Sequence, residues 1–323
     1  MRRREMLMAA AATAVSGLMT RGEEVAGAGA PTRRGGTPQE EGICLFTDHL
    51  DDSGYSYAEV ASMLAPLKIA GPDLTVRGGG IVPPEKVVDE LPKAQAAFRD
   101  QGMGIPMLST NLTSKNDPAA RPIFSTMAKL GIGHFKLGYY HYHELPSWEA
   151  ELAASGKELS GLLELSQKAG LTAGLHNHAG ATIGGAVWDA WEMLRSLDPA
   201  AVGFYFDPAH ATLEGAKYAW KLNLQRVSSR LKMIALKDVV WEKGAKGWQS
   251  RWCPLGQGMV DWTEFFQILA KLSFNGPISV HIEYDPGGRT RLEKIDNSLA
   301  AAQRDIAFVR KHLAAASSSL TNP

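Results

Sequence analysis

The 323-residue chain has two cysteines, Cys44 and Cys253. At most one disulfide can form, which excludes a disulfide framework, and a four-cysteine zinc site cannot be assembled. No charge sign is in excess: Lys plus Arg and Asp plus Glu number 34 each. That removes the basic balance that draws a protein to nucleic acid or to an anionic membrane. Beyond the first twenty residues, no apolar run approaches the ~20 residues that span a bilayer. A dinucleotide-type phosphate loop is also missing, because Arg77-Gly78-Gly79-Gly80 lacks G-x-G-x-x-G spacing and leads into Pro83-Pro84. These absences leave a globular protein, 45% hydrophobic and 21% charged, whose expected partner is a neutral or weakly charged small molecule.

The N-terminus is set apart. Arg2, Arg3 and Arg4 precede an apolar run from Leu7 to Met19 that is too short to span, and Ala26-Gly27-Ala28 or Ala28-Gly29-Ala30 offers a small-residue cleavage site. Residues 1–30 therefore read as an export signal peptide. Arg3-Arg4-Glu5-Met6-Leu7 is similar to the twin-arginine motif, which implies a periplasmic or extracellular destination for a protein folded before export. Residues 31–42 read as a Pro/Gly/Thr linker, 43–314 as the folded domain and 315–323 as a disordered tail. The mature form is expected to be free of the membrane, and self-association into a homo-oligomer stays open.

From Ile43 onward short apolar runs alternate with stretches of helical spacing. The runs are Ile43–Thr47, Asp73–Arg77, Ile105–Thr110, His134–Gly138, Leu171–His176, Val202–Asp207, Leu231–Lys237 and Pro277–Glu283. A helical stretch follows each, the last being Arg291–Leu313. Glycines at Gly71, Gly102, Gly131, Gly170 and Gly276 mark the helix-to-strand joints. Eight strand–helix units in this length predict a single (β/α)8 TIM barrel, since each parallel strand needs a crossover before the next can pair.

Active sites in such barrels lie at the carboxyl ends of the strands, and the chemistry-bearing residues gather there. Of the nine histidines, His49, His141, His143, His176, His178, His210 and His281 fall at strand ends, together with Arg77, Asp207, Lys237 and Glu283. Only His134, at the start of a strand, and His312, in the last helix, do not. Side chains alternate along a strand, so His176 and His178 share a face, as do His281 and Glu283. If that face is inward, His176, Asp207, His210 and Glu283 meet over the mouth as two imidazoles and two carboxylates, with His210 on a loop after Asp207. Such an N/O set suits a transition metal such as Mn or Zn, one ion per chain. Lys237 would also point inward, either polarising a carbonyl or serving as a base, or forming a salt bridge to Asp207 or Glu283.

Leu175-His176-Asn177-His178, Phe206-Asp207-Pro208-Ala209-His210, Ala235-Leu236-Lys237-Asp238 and His281-Ile282-Glu283 resemble the successive strand-end motifs of the xylose isomerase-like, sugar phosphate isomerase/epimerase family. The resemblance covers most of residues 43–313. It implies a TIM barrel in which Glu, Asp, His and Glu of strands five to eight bind one divalent metal. Asp207 and Glu283 correspond to the Asp and the final Glu. His176 stands where many members have Glu, and Ala235 where the strand-seven His is usual. His210, which has a counterpart ligand in the endonuclease IV branch, could fill that place.

The stretch after the seventh strand, 238–261, carries Trp241, Trp248 and Trp252 and reads as a long loop. Its indoles would either stack on sugar rings or pack together to anchor the loop. The expected function is a metal-dependent sugar or keto-sugar isomerase, epimerase or lyase working through an enediolate. Glu283 or His178 would move the proton, Lys237 would assist, and Arg77, His141, Trp241, Trp252 and His281 would contact the substrate. The alternatives are a catalytically inactive sugar-binding barrel and an endonuclease IV-like phosphodiesterase. The phosphodiesterase would need a multinuclear site and a basic track that the charge balance does not offer.

Overall fold

The computed structural model describes residues 41–51 and 54–321. The signal-peptide segment and nearly all of the linker lie outside the described residues. Eight parallel strands close a barrel: β1 (Ile43–Phe46), β2 (Gly71–Val76), β3 (Met107–Thr110), β4 (His134–Lys136), β5 (Thr172–His176), β6 (Val202–Phe206), β7 (Leu231–Leu236) and β10 (Ile278–Val280), with β10 pairing back onto β1. The crossovers are α1 (Tyr57–Leu64), α2 (Val87–Asp100), α3 (Ala120–Leu130), α4 (Trp148–Lys168), α5 (Trp188–Leu194), α6 (Pro208–Val227) and α7 (Trp262–Lys271), and α8 (Arg291–Thr321) closes the chain. The single (β/α)8 barrel expected from the alternation is what forms.

Local chemistry sets the element boundaries. Ser56 and Glu59 make a reciprocal capping box at α1, Asp261 caps α7, and Gly131 ends α3 in the left-handed conformation. Asp207 caps α6: its Oδ1 accepts from the backbone N–H of Ala209 and of His210, at 2.8 and 3.1 Å. His210 thus lies in the first turn of a helix rather than on a loop, and the cap fixes it beside the carboxylate. Helix α6 breaks at Ala216 (φ 52°), where the sequence pattern places the helix start.

Two further boundaries differ from expectation. Residues 238–253 form an antiparallel hairpin, β8 (Asp238–Gly244) and β9 (Gly247–Cys253), not a loop. Buried Asp238 ties its base, accepting from the N–H groups of Gly256 and Gly258 and from Nε1 of Trp262. Helix α8 continues to Thr321 with Ala316 buried, through most of the segment assigned above to a disordered tail.

The large apolar core fills the space between strands and helices, and a second, small one fills the barrel: Cys44, Met107, Tyr205, Met233 and Ala235. Cys44 is thus an interior filler. Gly203 in β6 is needed for close approach, because a Cβ there would lie 1.9 Å from the carbonyl oxygen of Arg230.

Candidate active site at the carboxyl ends of the strands

Alternation along the strands builds the interior in layers. Above the apolar filler sits a polar layer centred on Asp73, which is fully buried and accepts from Ser109, Ser279 and Tyr205 at 2.8–2.9 Å. The next inward residues, two positions further along each strand, form the mouth: His176, Asp207, Lys237 and His281, all at most 3% exposed.

At one side of the mouth, His176 Nε2 lies 3.2 Å and His210 Nε2 3.8 Å from Asp207 Oδ2, and the three donor atoms all lie within 4.8 Å of one another. Tyr139 hydroxyl bonds His176 Nδ1 at 2.9 Å. Burial first, and the Lys237 ammonium next, hold both histidines well below the ordinary imidazole pKa, so they are neutral at pH 7.

On the other side, Lys237 Nζ bonds both oxygens of Glu283 at 2.8 Å and lies 3.5 Å from Asp207 Oδ2. His281 donates the second contact to Glu283, Nδ1 to Oε1 at 3.0 Å, while its Nε2 meets Tyr205 hydroxyl at 2.8 Å. Burial disfavours the Glu283 carboxylate, but Lys237 and His281 outweigh it and hold the pKa well below the usual range. Burial likewise opposes the Lys237 ammonium, and Glu283 and Asp207 overcome it, raising its pKa.

Glu283 therefore does not join His176, Asp207 and His210 as the sequence pattern placed it. The lysine takes its charge, and the salt-bridge alternative holds for both carboxylates. His281 and Glu283 share a face as expected, and they also bond each other. His178 is half-buried, its ring 4.0 Å from that of His210 and its Nδ1 on the carbonyl of Ala179. Trp252 covers the cluster: its ring lies 4.5 Å from Lys237 Nζ and stands edge-on to His210 at 5.0 Å. Trp241 and Trp248 share that face of the hairpin by register but are exposed. Arg77 is one layer away, paired to Asp51 at 2.7 Å and set over Phe46, which stacks on His281. His141 is exposed and pairs in a bridge with Thr182, apart from the trio.

Three participants escaped the sequence argument, and a fourth, Asp48, stands at the end of the first strand. Tyr139 bonds His176 and Tyr205 bonds His281, orienting both rings. Lys136 is buried at the end of β4, 3.9 Å from the Tyr139 ring, and burial brings its pKa down to about 7. Asp48 carries a buried oxygen without a partner among the described residues, and burial, with the nearby Glu283 charge second, raises its pKa to about 6. Parity would have found Tyr205, which stands two residues before Asp207.

A tetrahedral ion with ligand bonds of about 2.1 Å holds its donors about 3.4 Å apart, and 3.2 and 3.8 Å bracket that spacing. His210 Nε2 is buried with no hydrogen-bond partner among the described residues. Donor type, spacing and this orphaned nitrogen fit a divalent ion. One local change is required: the N–H of Ala179 donates to His210 Nδ1 at 3.2 Å, so the neutral ring carries its proton on Nε2. Ligation through Nε2 needs that proton moved to Nδ1 and the Ala179 amide turned away.

A closed barrel with an acid–base cluster over the carboxyl ends of its strands defines the general class of TIM-barrel enzyme folds. The particular family follows from sequence: residues 88–312 match the xylose isomerase-like TIM barrel family, and the chain belongs to it. It is 28% identical over 163 residues to an inosose dehydratase of Erwinia tasmaniensis, a stretch covering 47% of this chain and 52% of that protein. The chain thus spans about half the length of that relative. The fold is similar to a xylose isomerase-like TIM barrel protein from Mycobacterium smegmatis in complex with magnesium, with TM-score 0.65 and 14% identity over 87% of this chain and 99% of that one. It is also similar to a D-allulose 3-epimerase from Methylomonas sp. in complex with D-allulose, with TM-score 0.62 and 15% identity over 86% and 99%.

Proposed function

We propose that this chain is an enzyme that isomerises, epimerises or dehydrates a sugar or keto-sugar by moving the proton on a carbon next to a carbonyl. One observation carries the reading: the Lys237–Glu283 pair, buried on the lysine side, has the Glu283 side chain 21% exposed where the site meets solvent. The family match and the similarity to an inosose dehydratase support it.

With both oxygens held by Lys237, Glu283 is a weak base in the free protein. As negative charge develops on the substrate oxygen, Lys237 shifts its N–H donors from Glu283 to that oxygen. The carboxylate loses its counter-charge, gains proton affinity and takes the C–H proton. His281, fixed by Tyr205, holds Glu283 in place. For isomerisation Glu283 returns the proton to the neighbouring carbon, while epimerisation takes a proton from solvent on the opposite face and Glu283 gives its own up to solvent. In the elimination variant the enolate expels a β-hydroxyl, which leaves as water with the proton that Glu283 has taken. His176, Asp207 and His210 would hold one divalent ion, Mn or Zn by donor type, which when bound supplies Lewis acidity toward the sugar oxygens.

The test is exchange of substrate C–H for deuterium from solvent across a panel of ketoses and 3-keto-sugars. Glu283→Gln should lower exchange on the order of a hundredfold or more, the range a positioned acid–base group supplies. A second reading, an inactive sugar-binding barrel, draws on Ala235, an apolar filler where relatives of this type carry a strand-seven ligand. Sugars that bind without any exchange would establish it. The phosphodiesterase reading has the least support, since the described residues offer one metal-capable trio and the chain no net charge.

A further inference from the structure

Most of the acid–base cluster is sealed, and its way out is informative. His176, Asp207, His210, Lys237 and His281 are all at most 3% exposed, so a ligand meets the cluster first at Glu283. Glu283 also lines a cleft of about 770 Å³ that runs away from the mouth between β9, the loop after β10 and α8. Pockets for drug-sized ligands span about 300–1,000 Å³, so a single six-carbon ring occupies only part of this one.

The walls state the chemistry. Trp252 and Tyr284 present rings, and Ser250, Asn297 and Arg304 present hydrogen-bonding groups. The cations along the cleft are already compensated: Arg251 pairs with Glu242 at 2.7 Å and Arg304 with Asp305 at 3.1 Å. Aromatic faces beside polar groups with no free positive charge fit a neutral polyhydroxylated ring, not a phosphate or carboxylate. Trp252 reaches both regions, touching Lys237 and His210 while lining the cleft.

We infer that the substrate is a glycoside: the reacting keto-sugar sits against Glu283 and Lys237, and a second, uncharged sugar ring joined to it by a glycosidic bond occupies the cleft against Trp252, Tyr284, Asn297 and Arg304. This inference rests on the sugar chemistry proposed above.

The experiment compares D-fructose with its glucosylated forms turanose and isomaltulose, and with fructose 6-phosphate. Binding is followed by tryptophan fluorescence and chemistry by deuterium exchange. At least one disaccharide should bind the full-length protein about tenfold or more tighter than fructose, a gain of ~1.4 kcal/mol. Asn297→Ala and Arg304→Ala should each erase most of that gain and leave fructose binding and exchange unchanged. Disaccharides no better than fructose would overturn the subsite while leaving the proposed chemistry standing. So would fructose 6-phosphate binding tightest, or variants that weaken both sugars equally. If no sugar binds or exchanges, the proposed function falls and the subsite with it.

Discussion

Replacing Lys237 by Met tests the charge arrangement on which the site depends. Methionine keeps most of the length and apolar bulk of the lysine stem, so the change removes mainly the ammonium group. That group is 2% exposed and neutralises Glu283 at 2.8 Å and Asp207 at 3.5 Å. Removing one partner of a buried pair costs about 3–5 kcal/mol, because the remaining charge is left unpaired. Glu283, 21% exposed, recovers some hydration, which places the expected loss near the lower end, about 3 kcal/mol. For a domain of this size that is a fall in Tm of roughly 6–10 °C, measurable by calorimetry.

The same substitution makes an opposite prediction for metal. With the ammonium gone from beside Asp207 Oδ2, an ion on His176, Asp207 and His210 no longer meets a fixed like charge. Added Zn or Mn should therefore raise Tm more in Lys237→Met than in the natural protein; an ion at a free concentration 100 times its Kd for the variant adds about 2.7 kcal/mol of stability. The pH dependence has a definite sign. Glu283's folded pKa is depressed, so its contribution is fully present above the unfolded value near 4.3 and is lost as pH falls through the lower folded value. The gap between natural protein and variant should hold from pH 7 to about 5 and close only in stronger acid. A variant as stable as the natural protein at pH 7, or a metal-induced shift larger in the natural protein, would refute the reasoning.

Three further outcomes are expected. Protein prepared with Mn and Zn present should carry about one ion per chain by elemental analysis, and Asp207→Ala should empty the site; no stoichiometric ion in the natural protein would sink the trio. His49 is half-buried, with both ring nitrogens buried and unbonded among the described residues, and burial lowers its pKa to about 4, although the Phe46 backbone favours the protonated form. Because the unfolded chain takes that proton first, near pH 6.5, stability should fall between pH 6.5 and 4 by up to about 3 kcal/mol. His49→Leu should flatten that decline in urea titrations, and an unchanged slope would place the acid sensitivity elsewhere. Finally, export is proposed from the paired Arg3 and Arg4, so changing both to Lys should leave the precursor in the cytoplasm; unaltered export would point to another route.

The fold was legible because strand and helix periods differ, and eight strand–helix units leave few ways to pair parallel strands. The direction of the site residues was legible too. Asp207, Lys237, His281 and Glu283 point where two-residue alternation sends them, which is why His281 and Glu283 could be expected on one face. Which partners meet was not legible. Inward-facing residues on different strands meet according to their height along the barrel, and strand stagger sets that height. Lys237 therefore reaches Glu283, just past the end of the neighbouring strand β10, before Glu283 can reach the trio.

The hairpin was missed for a related reason. Trp241, Trp248 and Trp252 show alternation only once the turn at Gly244–Gly247 is placed, since pairing puts 239, 241, 248 and 252 on one face. Read as a loop, those tryptophans had no common direction, and the choice between a sugar wall and a packed anchor stayed open. With the register known, the three rings separate by burial. Trp252 lies against Lys237 and His210 at the base of the hairpin, while Trp241 and Trp248 are 44% and 69% exposed. We propose on that pattern a wall fixed at its base by one ring and offered to a sugar along its length by the other two.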